Sequence, residues 1–155
     1  MPASVPPVCK TAFLAGVKPA AVYAVVVDFA AYPRLFPEIK QVSVLSSVDE
    51  GKRVRAEFRG NIVLPFRYVL DLACDPVALT VTWAYVEGEV VKNSEGGWRF
   101  SATGDGAEIE YRVAMEIAAP LPAFLLRKIT DGLVALSLPA MFASLEREVR
   151  ARTSA

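Results

Sequence analysis

Residues 98–117, WRFSATGDGAEIEYRVAMEI, exchange apolar for polar side chains at almost every step, on both sides of a Gly104-Asp105-Gly106 turn. Trp98, Phe100 and Ala102 share one face, against Arg99, Ser101 and Thr103. Ile109, Tyr111, Val113, Met115 and Ile117 likewise oppose Glu110, Arg112, Ala114 and Glu116. A period of two with one oily face is the pattern of an antiparallel sheet wetted on one side. The pattern continues upstream. Over 79–85, Leu79, Val81, Trp83 and Tyr85 oppose Thr80, Thr82 and Ala84. Over 66–73, Phe66, Tyr68, Leu70 and Leu72 oppose Arg67, Val69, Asp71 and Ala73. Over 53–59, Val54, Ala56 and Phe58 oppose Arg53, Arg55, Glu57 and Arg59. Residues 40–48, KQVSVLSSV, alternate less cleanly. Turns are expected at Asp49-Glu50-Gly51, Gly60-Asn61, Asp75-Pro76 and Glu95-Gly96-Gly97.

The flanks complete the order. Residues 8–17, VCKTAFLAGV, read as a first strand ending at Gly16. Lys18-Pro19 opens a short helix whose body is Ala20 to Phe29, with proline suited to the first turn. A second short helical piece, 31–36, is bracketed by Pro33 and Pro37. From Pro120 to Arg152 the chain reads as helix. Leu125, Ile129, Leu133 and Leu136 form one stripe, and Leu138, Phe142, Leu145 and Val149 another, with Pro139 marking a kink or a division.

Seven strands at about 4.8 Å make a sheet roughly 34 Å wide, whereas one helix is only about 10 Å across. A flat sheet that wide leaves its oily face wet, so it must curl around the helix. The expected fold is therefore α+β: a seven-stranded curved antiparallel sheet wrapped around a long C-terminal helix, with two short helices between strands 1 and 2. Residues 1–155 are expected to form one domain. The concave wall is expected to carry Phe36, Phe58, Phe66, Tyr68, Leu70, Trp83, Tyr85, Trp98, Phe100, Tyr111, Val113 and Met115, faced by Ile129, Leu133 and Leu136 of the helix. Two outcomes stay open: these aromatics fill the interior, or they line a pocket for an apolar ligand.

The chain contains no histidine. That removes the commonest general base and the commonest metal ligand together, and no metal or cofactor is expected. Catalysis, if any, falls to other groups, and Tyr68, Tyr85 and Tyr111 are the candidates as proton donors. An unperturbed tyrosine, with a pKa of about 10, is a poor base at neutral pH. Lys and Arg total 17, as do Asp and Glu, so there is no net positive charge to attract nucleic acid. Cys9 and Cys74 match no metal or redox spacing and are expected as free thiols. The stretch 121–138 carries Arg127, Lys128 and Asp131, which argues against membrane insertion. The N-terminus lacks the charged and apolar regions of a secretory leader, so a cytoplasmic location is expected.

Residues 25–44, VVVDFAAYPRLFPEIKQVSV, resemble the N-terminal signature of the START-like helix-grip superfamily, in its polyketide cyclase/dehydrase and coenzyme-Q-binding branch. Asp28, Tyr32, Pro33, Phe36 and Pro37 carry the match, and Gly97-Trp98 followed by Phe100 resembles a later motif of that branch. The resemblance implies a hydrophobic cavity between sheet and C-terminal helix. Members variously bind lipids or quinones, shape polyketide chains, or associate with ribosomes. Three functions follow as expectations. The first is binding and carriage of a lipid, isoprenoid or polyketide-like molecule. The second is a polyketide cyclase, aromatase or dehydratase using pocket tyrosines. The third is a ribosome- or protein-binding module using the arginine-bearing convex face.

Overall fold

The computed structural model describes residues 3–36, 38–62, 64–117, 122–131 and 138–153. Strand β1 (Ala3–Ala15) leads to helix α1 (Pro19–Val26), a single 3-10 turn over Phe29–Ala31, and helix α2 (Tyr32–Leu35). Six strands follow: β2 (Ile39–Val48), β3 (Arg53–Ile62), β4 (Leu64–Asp75), β5 (Thr80–Glu89), β6 (Val91–Thr103) and β7 (Gly106–Ile117). Helices α3 (Ala123–Asp131) and α4 (Leu138–Thr153) close the chain. The strands form one antiparallel sheet in the order β1-β7-β6-β5-β4-β3-β2, so β1 and β2 are its edges. Consecutive hairpins build everything except the β1–β7 pairing, and α1, α2 and α4 pack with the buried face of the sheet.

The alternation resolves as the residue types require. Val54, Ala56 and Phe58 are buried while Arg53, Arg55 and Arg59 are exposed. On the convex face several arginines are ion-paired, three of them across strands. Arg55 grips Asp71 with two bonds of 2.7 and 2.9 Å, and Glu57 accepts from Arg59 (2.9 Å) and Arg67 (2.7 Å). Arg67 also reaches Glu87 (2.8 Å), and Arg99 reaches Glu110 (2.8 Å). Val69 points to this face, yet it is buried, paired in register with Glu57 and Glu87 under the ion-pair ladder.

Several boundaries differ from the sequence expectation. Strand β1 starts at Ala3, ahead of residue 8. Pro6 and Pro7 are accommodated because an edge strand does not need their missing N–H groups, and the register shifts between Val5 and Val8. Gly60-Asn61 and Glu95-Gly96-Gly97 are not turns but lie inside β3 and β6. A side chain at Gly96 would collide with the Arg112 carbonyl and the Trp83 ring, and one at Gly97 with the Val81 carbonyl. These glycines allow close approach rather than chain reversal. The described part of the C-terminal segment comprises α3 and α4, with Pro139 the second residue of α4. Residues 132–137, and with them Leu133, Leu136 and the course of the chain between the two helices, lie outside the described residues. So does the side chain of Ile129.

Helix α4 sets the core. Leu138, Met141, Leu145 and Val149, spaced three, four and four apart, are all buried on one stripe. Burying each contributes about 1.5–3 kcal/mol. They share a single core with Val22, Val25 and Val26 of α1, none of which has any exposed surface. The thiols are unpaired, Cys9 exposed and Cys74 buried.

Candidate functional site

A cavity of about 140 Å³ lies between the concave sheet, α2 and α4. Among the described residues, its wall is built from Tyr32 and Phe36 at α2, Phe58 of β3, Phe66, Tyr68, Leu70 and Leu72 of β4, Val81 and Trp83 of β5, Ser94 and Trp98 of β6, Tyr111, Val113, Met115 and Ile117 of β7, and Met141 of α4. Glu38, Ile39, Val90 and Val91 complete it. A void of this size is close to the apolar hole of about 150 Å³ that accepts benzene.

The aromatic side chains fill part of the interior and hold one another in place. Phe58 and Phe66 stack on the two sides of Tyr68, with centroids 5.3 and 5.5 Å away. Tyr111 packs against Trp98 at 4.5 Å and Trp83 at 6.0 Å. Tyr32 packs edge-on to Phe36 at 4.7 Å. Many of the rings are core, and a small void remains between them.

Ten of the residues expected on the wall line the cavity: Phe36, Phe58, Phe66, Tyr68, Leu70, Trp83, Trp98, Tyr111, Val113 and Met115. Tyr85 and Phe100 do not. The Tyr85 hydroxyl donates to the Val91 carbonyl at 3.0 Å, which fixes the ring against the β5–β6 end. Phe100 lies deeper, packed between Trp98 and Tyr23.

The polar groups of the cavity differ in how they are engaged. The Tyr32 hydroxyl donates to the Val26 carbonyl at 2.6 Å and so caps the end of α1. The Trp83 indole N–H donates to the Ser94 hydroxyl at 3.2 Å. The hydroxyls of Tyr68 and Tyr111 make no hydrogen bond to any described residue. Both residues line the void. Burial raises both phenols well above the ordinary tyrosine value, with the Glu38 carboxylate adding to the effect. They are donors, not bases.

Glu38 was not singled out from the sequence. Burial raises its carboxyl, opposed by its own backbone N–H and by Lys40. Its position is set by the chain: the Glu38 carbonyl accepts the Asn61 N–H at 2.9 Å, where Gly60 leaves room for the crossing. The sole hint in the sequence is a carboxylate directly after the signature Pro37 and before the first apolar residue of β2. Glu38 is the only acidic or basic residue of the Asp, Glu, Lys or Arg kind among the described lining residues.

The family model for "Polyketide cyclase / dehydrase and lipid transport" matches residues 16–142, most of the chain. The protein belongs to this family. Its signature residues are explained by the geometry just described. Tyr32 caps α1 and walls the cavity, Phe36 packs on it, and Asp28 accepts from Arg152 of α4 at 2.7 Å. No curated protein matches the sequence. Among solved structures, the TTHA0849 protein of Thermus thermophilus is similar at 23% identity and a TM-score of 0.80, over 95% of this chain and 99% of that one. A START superfamily protein of Mycobacterium smegmatis is similar at 20% identity and TM-score 0.77, over 94% and 97% of the two chains. The ZhuI aromatase/cyclase of a Streptomyces species is similar at 16% identity and TM-score 0.81, over 95% and 94%. At these identities the likeness establishes the START-like helix-grip fold and nothing finer. No helix among the described residues is long and apolar enough to cross a membrane.

Proposed function

We propose that the protein binds an apolar small molecule, of the lipid, isoprenoid or polyketide-like class, in the cavity between the sheet and the C-terminal helices. The observation that carries this reading is the void of about 140 Å³ walled by aromatic and aliphatic side chains, with a few oxygen-bearing side chains among the described residues, Glu38, Tyr68, Tyr111 and Ser94, to orient a guest. That composition is the one expected of a small-molecule site: mostly apolar, with a few placed polar groups. Ligand at a hundredfold excess over its dissociation constant adds about 2.7 kcal/mol of stability. For a chain of this length that is a rise in Tm of roughly 5–10 °C. Native mass spectrometry of protein purified from its own host, followed by organic extraction, should find a bound apolar compound, and re-adding the extract should raise Tm. Protein that is always empty, and whose Tm ignores apolar additives, would sink this reading.

A second reading, ring closure or dehydration on a polyketide-like chain, is favoured by three of these groups. Tyr68 and Tyr111 can protonate a developing enolate oxygen, and Glu38 is a candidate to take up a proton. Tyr85 drops out of this mechanism because its hydroxyl is committed to Val91. Tyr68→Phe or Tyr111→Phe should then abolish product formation, and unchanged product profiles for both would dismiss it.

A further inference from the structure

Resting on the cavity as a ligand site, we propose that guests enter and leave it through the sheet itself, between β5 and β6, with the Trp83 ring as the gate.

The β5–β6 ladder ends at Trp83↔Gly96. Beyond that pair each strand keeps its other neighbour. Strand β5 stays paired with β4 as far as Glu89, and β6 is paired with β7 from Val91 onward. The sheet is therefore split along its middle from Trp83 to the tip at Val90. Side chains cross the split where ladder bonds would otherwise run. The Trp83 indole N–H donates to the Ser94 hydroxyl at 3.2 Å, the Tyr85 hydroxyl to the Val91 carbonyl at 3.0 Å, and Lys92 to the Gly88 carbonyl at 3.2 Å. Side chains change rotamer far faster than strands unpair, so such bonds can open while both half-sheets stay whole.

The split has an outer mouth. A hollow of about 590 Å³ lies on the convex face, with Cys9 of β1, Thr82 of β5, Glu95 of β6 and Arg112 of β7 around it, all four exposed. Trp83 and Val113 line this hollow and line the inner cavity as well. Gly96 makes the close approach possible. A Cβ there would lie 2.9 Å from both the Trp83 ring and the Val113 Cα, so glycine leaves the outer side of the ring uncovered. Of the two shared side chains, Trp83 is the one that can swing. It is half-buried, its one donor is spent on Ser94, and Tyr111 packs on it at 6.0 Å. Val113 is branched at Cβ and stiff. Trp98, by contrast, is buried among Phe100, Tyr111 and Phe142. Rotation of Trp83 breaks its bond to Ser94 and joins hollow to cavity.

A gate sets a barrier common to entry and exit. Stapling it must slow kon and koff by the same factor and leave Kd alone. Carried one step past Trp83↔Gly96, the register sets Ala84 opposite Glu95, both exposed and neither on the cavity wall. A disulfide joining the substitutions Ala84→Cys and Glu95→Cys, in a Cys9→Ser background, therefore staples the split from outside. The test follows exchange of fluorobenzene with the full chain at pH 7 by fluorine NMR, with and without reductant. The oxidised form is expected to exchange at least about tenfold more slowly in both directions, with Kd held within about twofold, and reductant should restore both rates. The unsubstituted protein gives a second reading. Cys9 is exposed, whereas Cys74 is buried and its thiol is raised by burial to about 11, so a maleimide-linked polyethylene glycol goes to Cys9. That plug at the hollow should slow both rates by at least about threefold.

Oxidised protein that exchanges as fast as the reduced form overturns the proposal and leaves the cavity reading intact, with guests passing beside the helices instead. A staple that alters Kd while kon stays as it was does the same. If the disulfide does not close, unchanged rates in the labelled protein overturn the proposal. Failure of fluorobenzene to bind any of these proteins overturns both readings.

Discussion

The two ends of the space between sheet and helices are built in opposite ways. At one end, Val22, Val25 and Val26 of α1 meet Leu145 and Val149 of α4 with no exposed surface on any of them. The contact is locked from outside by an ionic clip. Arg34 holds Glu148 with bonds of 2.6 and 3.0 Å, and Arg152 bridges Glu148 (2.8 Å) and Asp28 (2.7 Å). At the other end the β5–β6 ladder is paired only from Thr80↔Arg99 to Trp83↔Gly96. Beyond it the two strands are joined by side chains: Trp83 to Ser94, Tyr85 to the Val91 carbonyl, and Lys92 to the Gly88 carbonyl at 3.2 Å. Val90, at the tip, is held at φ 72°, a conformation that branched side chains disfavour. The closed end carries the stability, and the loosely stitched end carries the cavity.

Substitutions should separate these two roles. The largest loss is expected for Leu145→Ala. It opens a hole where nothing is exposed and should cost about 2–5 kcal/mol in denaturant unfolding. Met115→Ala, a half-buried residue already facing the void, should cost clearly less. Equal costs would mean that the two ends are packed alike.

The same chemical change in two tyrosines sharpens the contrast. Tyr32→Phe strands the buried Val26 carbonyl and should cost about 1–3 kcal/mol. Tyr68→Phe removes a hydroxyl with no bond to a described residue and should change stability by less than about 0.5 kcal/mol while altering ligand preference. A large loss for Tyr68→Phe would show that this hydroxyl serves the fold. Smaller than the Tyr32 loss and opposite in sign, Val90→Gly should raise stability by up to about 1 kcal/mol. Relief of the left-handed backbone, a cost of about 1–2 kcal/mol, outweighs the added freedom of the unfolded chain.

Parity made much of the fold and part of the site readable. Arg53, Val54, Arg55, Ala56 and Phe58 alternate between water and core as written, and the same rule places Phe66, Tyr68, Trp98, Tyr111 and Met115 on the cavity wall. It fails where the register slips. The pairing shift between Val69 and Leu70 leaves Val86 unpaired on β5, and a second shift between Val91 and Asn93 turns Val91 inward. A strict count of two therefore misses Val90 and Val91. The first half of β6 was hidden for another reason. Asn93 to Gly97 has the composition of a turn, and only the neighbouring Trp83 ring and strand carbonyls show why glycine is needed there. Glu38 escaped because it precedes β2, where no periodicity yet operates, and its burial comes from the crossing over Gly60.

The smallest effect belongs to the ionic clip, and its sign can be worked out from Glu148. Hydrogen bonds from Arg34 and Arg152 hold this carboxyl down at about 2, against 4.5 for the free group. The folded state therefore favours the ionised form. The stability this contributes is fully present above pH 4.5 and is lost as the pH falls from there through about 2. Glu148→Gln should remove that part of the acid dependence, so the difference in stability between the two proteins should be greatest near neutrality and shrink as acid is added. Arg34 stands largely in solvent, so salt should shrink the difference as well. A variant whose deficit stayed constant from pH 7 down to pH 2 would show that Glu148 acts by packing alone. The closed end would then owe its rigidity to the Val22, Val25, Leu145 and Val149 contact without help from the charges above it.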